Sequence, residues 1–188
     1  FRLSTHPLTR SLFRYTIPEN ISTTVHDLTF PSPFTFAAFK SDVPTLSMWL
    51  SIGVGGGLYK TILPHVSQGN PRPRISQLMV NGKKTIINAM GLPGPGVASF
   101  VDQLQDSSLR QFQRPMGISL GGHSLAEYQQ CFDTIHPVIE TYPEYPYFYE
   151  LNLSCPNTDS GQDLAHQHQD LLQLIHYMRQ LSQRVISI

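Results

Sequence analysis

The stretch Tyr147-Phe-Tyr-Glu-Leu-Asn-Leu-Ser-Cys-Pro-Asn-Thr158 joins a run of strand-forming residues to a cluster of small polar side chains. Aromatic and leucine side chains fall on both faces of the run up to Leu153, which is typical of a strand buried on both sides. Pro156 lacks a backbone N–H and ends the strand. Ligands bind at the carboxyl ends of strands in parallel α/β proteins. The stretch therefore predicts a buried parallel strand with a functional site at its end.

The polar residues at this strand end are Asn152, Ser154, Cys155 and Asn157. Asparagine amides donate and accept hydrogen bonds at once, which suits a planar heterocycle with carbonyl and ring N–H groups. A single cysteine is usually only a small buried hydrophobe. The neighbouring asparagines and the following proline favour a functional thiol at Cys155. The other cysteine, Cys131, lies on the apolar face of a predicted helix, and we expect it in the core.

Composition restricts the class of protein. The 188 residues are 40% hydrophobic and 14% charged, which is enough for one domain with a core, and the formal net charge is zero. A balanced charge gives no reason to expect a nucleic acid or an acidic membrane surface as partner. No apolar run approaches the roughly 18 residues that would span a bilayer. Two cysteines provide no disulfide framework, so we expect a reducing, cytoplasmic location.

Strand and helix patterns alternate along the chain, which favours a parallel sheet. The expected barrel strands are residues 34–38, 58–63, 85–88, 116–120, 147–153 and the segment from 185, and a strand outside the barrel is expected in the stretch that begins at Leu28. Helices are expected at 45–51, 97–104, 124–139 and 164–178. Ser124 and Glu127 predict a capping box at the start of the third helix, and Tyr128 and Cys131 have the spacing of its apolar face. Asn81-Gly82 also predicts a hairpin turn between 78–80 and 85–87.

The predicted fold is a (β/α)8 barrel of which this chain holds the first five to six strands. The chain begins at Phe1 and stops at Ile188 within a segment of strand character. A complete barrel rarely has fewer than roughly 200 residues. We therefore expect an N-terminal extension over residues 1–28 and a partial barrel domain over 29–188.

Polar residues end several predicted strands and should meet on one face of the barrel. They provide one cation, one thiol and several neutral hydrogen-bonding groups, without the carboxylate pair of a glycosidase or a set of metal ligands. His166, His168 and His176 share a predicted helix, but we expect a solvated helix face and no metal site there. For Lys60, an ordinary surface position stays open as an alternative. For Asn88 and Asn152, the alternative is a structural role in capping buried backbone groups. The residues are Lys60, Thr61, Asn88, Ser119, Asn152 and Cys155.

Four segments of the chain are distinctive: Phe34-Thr-Phe-Ala-Ala38, Gly69-Asn-Pro-Arg-Pro-Arg74, Asn88-Ala-Met-Gly-Leu-Pro93 and Asn152-Leu-Ser-Cys-Pro-Asn-Thr158. In this order they resemble the dihydroorotate dehydrogenases, the flavin enzymes of pyrimidine synthesis. The resemblance covers about residues 29–188. Cysteine at the base position and lysine in the second-strand motif resemble the class 1 enzymes more than the membrane-associated class 2 enzymes.

This resemblance implies oxidation of dihydroorotate to orotate in the de novo synthesis of UMP, with FMN as cofactor. Cys155 would be the base that removes a proton from the ring carbon beside the one that gives hydride to the flavin. The residues implied to contact FMN are Ala37, Ala38, Lys60, Thr61, Asn88, Ser119 and Asn152. Those implied to hold the substrate are Lys60, Asn88, Met90, Gly91, Leu92, Asn152 and Asn157.

Two positions depart from the family pattern: Phe39 stands where glycine is usual, and Gly94 stands where asparagine is common. Two alternative functions therefore stay open. One is a dihydropyrimidine dehydrogenase-like flavin enzyme, which shares a similar Asn-Leu-Ser-Cys-Pro segment. The other is a non-catalytic barrel remnant that serves as an interaction partner. The electron acceptor (fumarate, nicotinamide or quinone) is also left open, as is a homodimer as the assembly.

Overall fold

Five short stretches of apolar and aromatic residues form a parallel sheet in the computed structural model, which describes residues 14–105, 108–153 and 167–188. Across the sheet the strands lie in the order β3 (Thr35–Phe36), β4 (Gly56–Ile62), β7 (Met116–Leu120), β8 (Tyr147–Leu151) and β9 (Ile186–Ser187), and every neighbouring pair is parallel. This arrangement confirms the predicted α/β class with a parallel, partial barrel.

In the described part of the chain, four helices connect or follow these strands: α1 (Val43–Ser51), α2 (Gly96–Leu104), α3 (Leu125–Ile139) and α4 (His168–Leu181). The predicted cap of α3 is confirmed. The Ser124 hydroxyl accepts a hydrogen bond from the Glu127 N–H at 3.4 Å. The Glu127 carboxylate accepts one from the His123 N–H at 2.7 Å. Side chains of the cap and of the first turn thus each accept a backbone hydrogen bond at the start of the helix. None of the helices in the described ranges is long and apolar enough to cross a membrane.

The core lies between the sheet and the helices. The side chains of Ile118, Leu120 and Tyr149 are fully buried, and the Tyr149 ring lies 5.1 Å from the Phe132 ring of α3. Cys131, on the same helix, is also fully buried, which confirms the predicted core position. The alternating strand residues face the other way: a Cβ placed on Gly117 would meet the side chains of Leu58 and Phe148. The sheet thus separates a helix-packed face from an inner face.

An antiparallel hairpin of β1 (Thr23–Val25) and β2 (Leu28–Phe30) lies outside the sheet, as the sequence predicted for its second strand. The Phe30 ring lies 6.4 Å from the ring of Phe148 on the inner face. It also contacts the position where a Cβ of Gly56, the first residue of β4, would be. The hairpin therefore lies at the amino ends of the strands, opposite the end expected to hold the site.

A second antiparallel hairpin corrects one prediction. It consists of β5 (Ile75–Val80) and β6 (Lys83–Asn88), and its turn residues Asn81 and Gly82 have φ of 49° and 76°. The turn was predicted correctly, but the assignment of residues 85–88 to the third barrel strand is wrong. In the described part of the chain β6 pairs with β5, and β4 pairs directly with β7. A two-residue turn brings two strands together locally, so β6 is satisfied without joining the barrel.

Each barrel strand after β4 therefore comes one position earlier in the barrel than the sequence predicted. Met116–Leu120 is the third parallel strand, Tyr147–Leu151 the fourth and Ile186–Ser187 the fifth. Most apolar side chains of the hairpin, including Met79, Ile86 and Ile87, are exposed. The hairpin is therefore an insertion between β4 and α2, and residues at its open end line the site described next.

Candidate active site

Three polar side chains meet at the carboxyl ends of β4, β7 and β8. The hydroxyl oxygens of Thr61 and Ser119 lie 3.0 Å apart, and both residues are buried. The Asn152 side-chain amide donates a hydrogen bond to the Thr61 hydroxyl at 2.8 Å. The sequence predicted that these three residues would converge, and the structure brings them together. Two hydroxyls and an amide form a neutral network that can both donate to and accept from a bound ring.

A bulge in β4 puts Thr61 into this network. Tyr59 pairs with Ile118 and Ile62 pairs with Leu120, so β4 uses one more residue than β7 over the same distance. Without the extra residue, Thr61 would lie opposite Leu120 and face the helices. With it, Ile62 takes the apolar side and the Thr61 hydroxyl reaches Ser119. Bulges often redirect a side chain at a site in this way, and this one makes Thr61 available.

Asn152 is fixed through its backbone as well as its side chain. Its N–H donates to the Leu120 carbonyl at 2.9 Å, which continues the pairing of β8 with β7. Its carbonyl accepts a hydrogen bond from the Tyr128 hydroxyl of α3 at 2.6 Å. The residue therefore has three anchors on three different elements, and its amide is held in one orientation.

A cavity of about 700 Å³ is lined in part by the residue that precedes Thr61 in β4. It contains Lys60, the neighbour of Thr61, and Asn88, which enters from the base of the β5–β6 hairpin rather than from a barrel strand. Six of the predicted site residues share this one cavity. The lining residues are Ala38, Phe39, Lys40, Lys60, Ile75, Ile86, Asn88, Met90, Gly91, Leu92 and Pro93. Ala37 lies next to them, and its carbonyl accepts a hydrogen bond from the Phe39 N–H at 2.7 Å.

The loop that carries Met90, Gly91 and Leu92 is held by the segment before β5. The Asn70 N–H donates to the Met90 carbonyl at 3.1 Å. Gly91 has a φ of 68°, and a Cβ there would lie 2.5 Å from the Asn70 side chain. The guanidinium group of Arg74 donates to the carbonyls of Asn70 and Gln68. The second and third resembling segments are thus packed against each other, and the third forms one wall of the cavity.

Cys155 and Asn157 lie outside the described residues, so their predicted roles stay predictions. The structure does describe the other thiol. The Cys131 sulfur lies 3.6 Å from the Ile62 carbonyl oxygen and 3.8 Å from that of Gly121. Burial, with a smaller contribution from the charge of Glu127, raises the pKa of this thiol from 9.0 to about 12. Cys131 is therefore a neutral thiol at physiological pH and is unsuited to be a base.

Several residues at the site were missed by the sequence analysis. Tyr128 was counted only as part of the apolar face of α3, because its spacing matches that face. Ile86 was assigned to a hairpin without a link to the site, and Ile75 lay outside the predicted hairpin strands, although it begins β5. No sequence pattern marked Lys40 as a site residue. Phe39 was marked, because it stands where the family usually has glycine. In residues 14–105, 108–153 and 167–188, no three side chains of the metal-binding types are grouped.

Parallel strands that alternate with helices, with polar side chains at the carboxyl ends, define a protein of the (β/α)8-barrel class. A family model described as Dihydroorotate dehydrogenase matches residues 20–187. This chain belongs to the dihydroorotate dehydrogenase family.

Relatives with different electron acceptors in their names are similar to the chain. A dihydroorotate dehydrogenase (quinone) of Synechococcus sp. is 30% identical over 154 residues, which are 81% of this chain and 39% of the relative. The catalytic subunit of dihydroorotate dehydrogenase B (NAD(+)) of Thermotoga maritima is 36% identical over 108 residues, 57% of this chain and 35% of the relative. The class 1 assignment therefore stays a prediction.

The fold is also similar to that of a solved structure, the DHODH of Eimeria tenella in complex with ferulenol. The TM-score is 0.67 at 19% identity, over 88% of this chain and 46% of the other. At this identity the likeness concerns the fold alone. The chain spans about 39% of the length of the Synechococcus relative.

Proposed function

We propose that this protein oxidises dihydroorotate to orotate with FMN as cofactor. The observation that carries the proposal is the convergence of the described site residues. Ala38, Lys60, Asn88 and the Met90–Leu92 loop share one cavity. Thr61, the residue after Lys60 in β4, forms a hydrogen-bonded network with Ser119 and Asn152 at the strand ends. These residues come from segments that are far apart in sequence, and they have the chemistry that a flat, polar-edged ring needs.

The residues present fit a flavin. Its ring system has apolar faces and hydrogen-bonding edges, and the cavity combines apolar walls from Ile75 and Ile86 with the polar groups of Lys60 and Asn88. The buried hydroxyls of Thr61 and Ser119 can serve one edge of the ring without a charge that would need a partner. When bound, FMN supplies the hydride acceptor of the reaction.

The chain's own residues supply binding, orientation and proton transfer. Lys60 provides a cation for the substrate carboxylate or for an electron-rich flavin edge, and the amides of Asn88 and Asn152 match the carbonyl and N–H groups of the pyrimidine. Cys155 follows Asn152 by three positions and is proposed as the base. It takes a proton from one ring carbon while the adjacent carbon gives up hydride, so a carbon–carbon double bond forms.

The proposed place of the reaction is the synthesis of pyrimidine nucleotides in the cytoplasm. Asn157 completes the proposed substrate set, and a homodimer is the proposed assembly. The acceptor that reoxidises the flavin is a separate question, because the similar proteins are named for quinone in one case and NAD(+) in another.

Phe39 favours one alternative substrate. Its side chain is 61% exposed and lines the cavity together with Ile75 and Ile86. An apolar rim of this kind suits a neutral dihydropyrimidine, which lacks the carboxylate of dihydroorotate, as well as it suits a flavin. A related dihydropyrimidine-oxidising enzyme is therefore the second candidate.

The test uses protein expressed from the complete gene. We expect a yellow protein that releases FMN on denaturation and loses its visible absorbance when dihydroorotate is added without oxygen. Bleaching by dihydrouracil but not by dihydroorotate would establish the second candidate. A colourless protein that does not take up added FMN would contradict both and would favour a non-catalytic barrel.

Replacing Lys60 separates the two substrates further. Lys60→Met should weaken dihydroorotate binding by about tenfold, because a charge-assisted contact to the carboxylate is lost. Dihydrouracil binding should change little. Lys84→Met, an exposed lysine of the β5–β6 hairpin, is the matched control and should change neither. Equal losses for both ligands would contradict the assignment of Lys60 to the carboxylate.

A further inference from the structure

The geometry points to Tyr128 as a positioning residue for the Asn152 amide, a role that rests on the proposed function of the site. The Tyr128 hydroxyl donates a hydrogen bond of 2.6 Å to the backbone carbonyl of Asn152. The side chain of the same asparagine donates to Thr61 at 2.8 Å. The peptide of Asn152 is thus held from the helix side while its amide works on the inner side of the sheet.

The start of α3 is built to bring Tyr128 close to the strand end. Ser124 and Glu127 cap the helix, and Tyr128 follows directly in its first turn. A Cβ placed on Gly122 would lie 2.8 Å from the Glu127 Cβ and 3.1 Å from the Tyr128 ring. Only a residue without a side chain allows the helix to begin this close to β7. The Tyr128 side chain is 2% exposed, so its hydroxyl has little access to water.

Asn152 depends on this contact because β8 ends at Leu151. Its N–H still pairs with Leu120, but its carbonyl lies beyond the ladder and takes its hydrogen bond from Tyr128. A tyrosine hydroxyl on a packed helix fixes the rotation of this peptide, and therefore the direction of the amide. Asn152 is the residue proposed to contact both flavin and substrate, so a rotation there would affect ligand binding before it affected the fold.

The experiment measures orotate binding to the flavin-loaded protein, expressed from the complete gene, through the change in flavin absorbance. Tyr128→Phe should weaken orotate binding by about tenfold, the usual scale for one lost hydrogen bond to a part-buried acceptor. Tyr145→Phe is the matched control. Its hydroxyl is buried and has no hydrogen-bond partner among the described residues, so its removal should leave orotate binding unchanged.

A double-mutant cycle distinguishes positioning from general packing. Asn152→Ala removes the amide that Tyr128 is proposed to orient, so adding Tyr128→Phe to it should weaken orotate binding by less than about twofold further. Thr61→Val, which removes the acceptor of the same amide, provides a second background if Asn152→Ala does not fold. Additive losses, or a Tyr128→Phe protein with wild-type orotate affinity, would overturn the inference. A wild-type protein that binds neither FMN nor orotate would instead refute the proposed function.

Discussion

The two cysteines show how differently one residue type can be used. Cys131 packs in the core with its thiol directed at the Ile62 and Gly121 carbonyls, and burial raises its pKa to about 12. Cys155 is the proposed base, and a thiol with an ordinary pKa near 8.5 is usable when its surroundings favour the thiolate. Helical spacing correctly predicted the core position of Cys131. The role of Cys155, which lies between asparagines and a proline, stays a prediction.

We predict that Cys131 resists alkylation in the native protein. At pH 8 iodoacetamide should leave Cys131 unmodified, because the reactive thiolate is suppressed by burial. After denaturation the same residue should react fully. Peptide mass spectrometry measures both. Rapid native labelling of Cys131 would show that the core around α3 opens to solvent.

Other residue roles could not be read from the sequence. The Thr61 hydroxyl reaches Ser119 only because β4 has a bulge, and nothing in the strand's composition marks a bulge. Tyr128 has the spacing of a core residue, and its hydrogen bond to Asn152 depends on how α3 is placed over β8. Both roles depend on contacts between elements, which local periodicity does not contain.

At the scale of elements, Arg184 joins the end of α3 to the start of β8. Its guanidinium group donates to the carbonyls of Ile139 and Tyr142 at 3.3 Å and to the Tyr145 carbonyl at 3.0 Å. It also forms an ion pair with Glu140 at 2.8 Å. These carbonyls belong to the turn that leads into β8, so the arginine fixes where that strand begins and, through it, the strand end that carries Asn152.

Arg184→Lys should therefore destabilise the fold. A lysine keeps the charge but has no planar fork, so several carbonyls lose their donor, and the expected cost is about 2–4 kcal/mol. Arg179→Lys is the control, since Arg179 is exposed and should cost less than about 0.5 kcal/mol. Urea unfolding followed by circular dichroism gives both values. Equal stability of the two variants would contradict this role for Arg184.

The β5–β6 hairpin shows which features of the fold local sequence predicts and which it does not. Asn81-Gly82 predicted the β5–β6 turn because only a few residues accept its positive φ values. Membership in the barrel was assigned wrongly, because the short apolar run of β6 has the same pattern whether it pairs with β5 or with a barrel strand. Helix α3 was predicted with its cap, since capping is a local interaction.

Across the whole molecule, the core holds tyrosines rather than only aliphatic residues. Tyr59, Tyr147 and Tyr149 are almost fully buried in the strands, and Tyr145 lies beside them. Burial raises the pKa of each phenol above its ordinary value of 10.0, and for Tyr59 the charge of Tyr147 adds to the effect. The packed domain therefore depends on these groups remaining neutral.

This gives a predicted loss of stability at alkaline pH. The folded-state pKa values are raised, so the stabilisation is fully present below the unfolded pKa near 10 and is lost as the pH rises above it. Ionisation of the Cys131 thiol removes further stability between pH 9.0 and about 12. Urea unfolding at increasing pH should show a falling free energy of unfolding above pH 9, with a shallower fall in Tyr145→Phe. A free energy that stays constant from pH 8 to about 11 would contradict this.

The central claim is that the site oxidises dihydroorotate with Cys155 as base, and anaerobic stopped-flow reduction of the bound flavin tests it most directly. The protein from the complete gene should bleach when mixed with dihydroorotate. Cys155→Ala should bind flavin with an unchanged spectrum but bleach ~10²–10⁴ times more slowly, the usual worth of a positioned base. Cys155→Ser should retain part of the rate, with its pH profile moved to higher pH. A Cys155→Ala protein that bleaches at the wild-type rate would contradict the account.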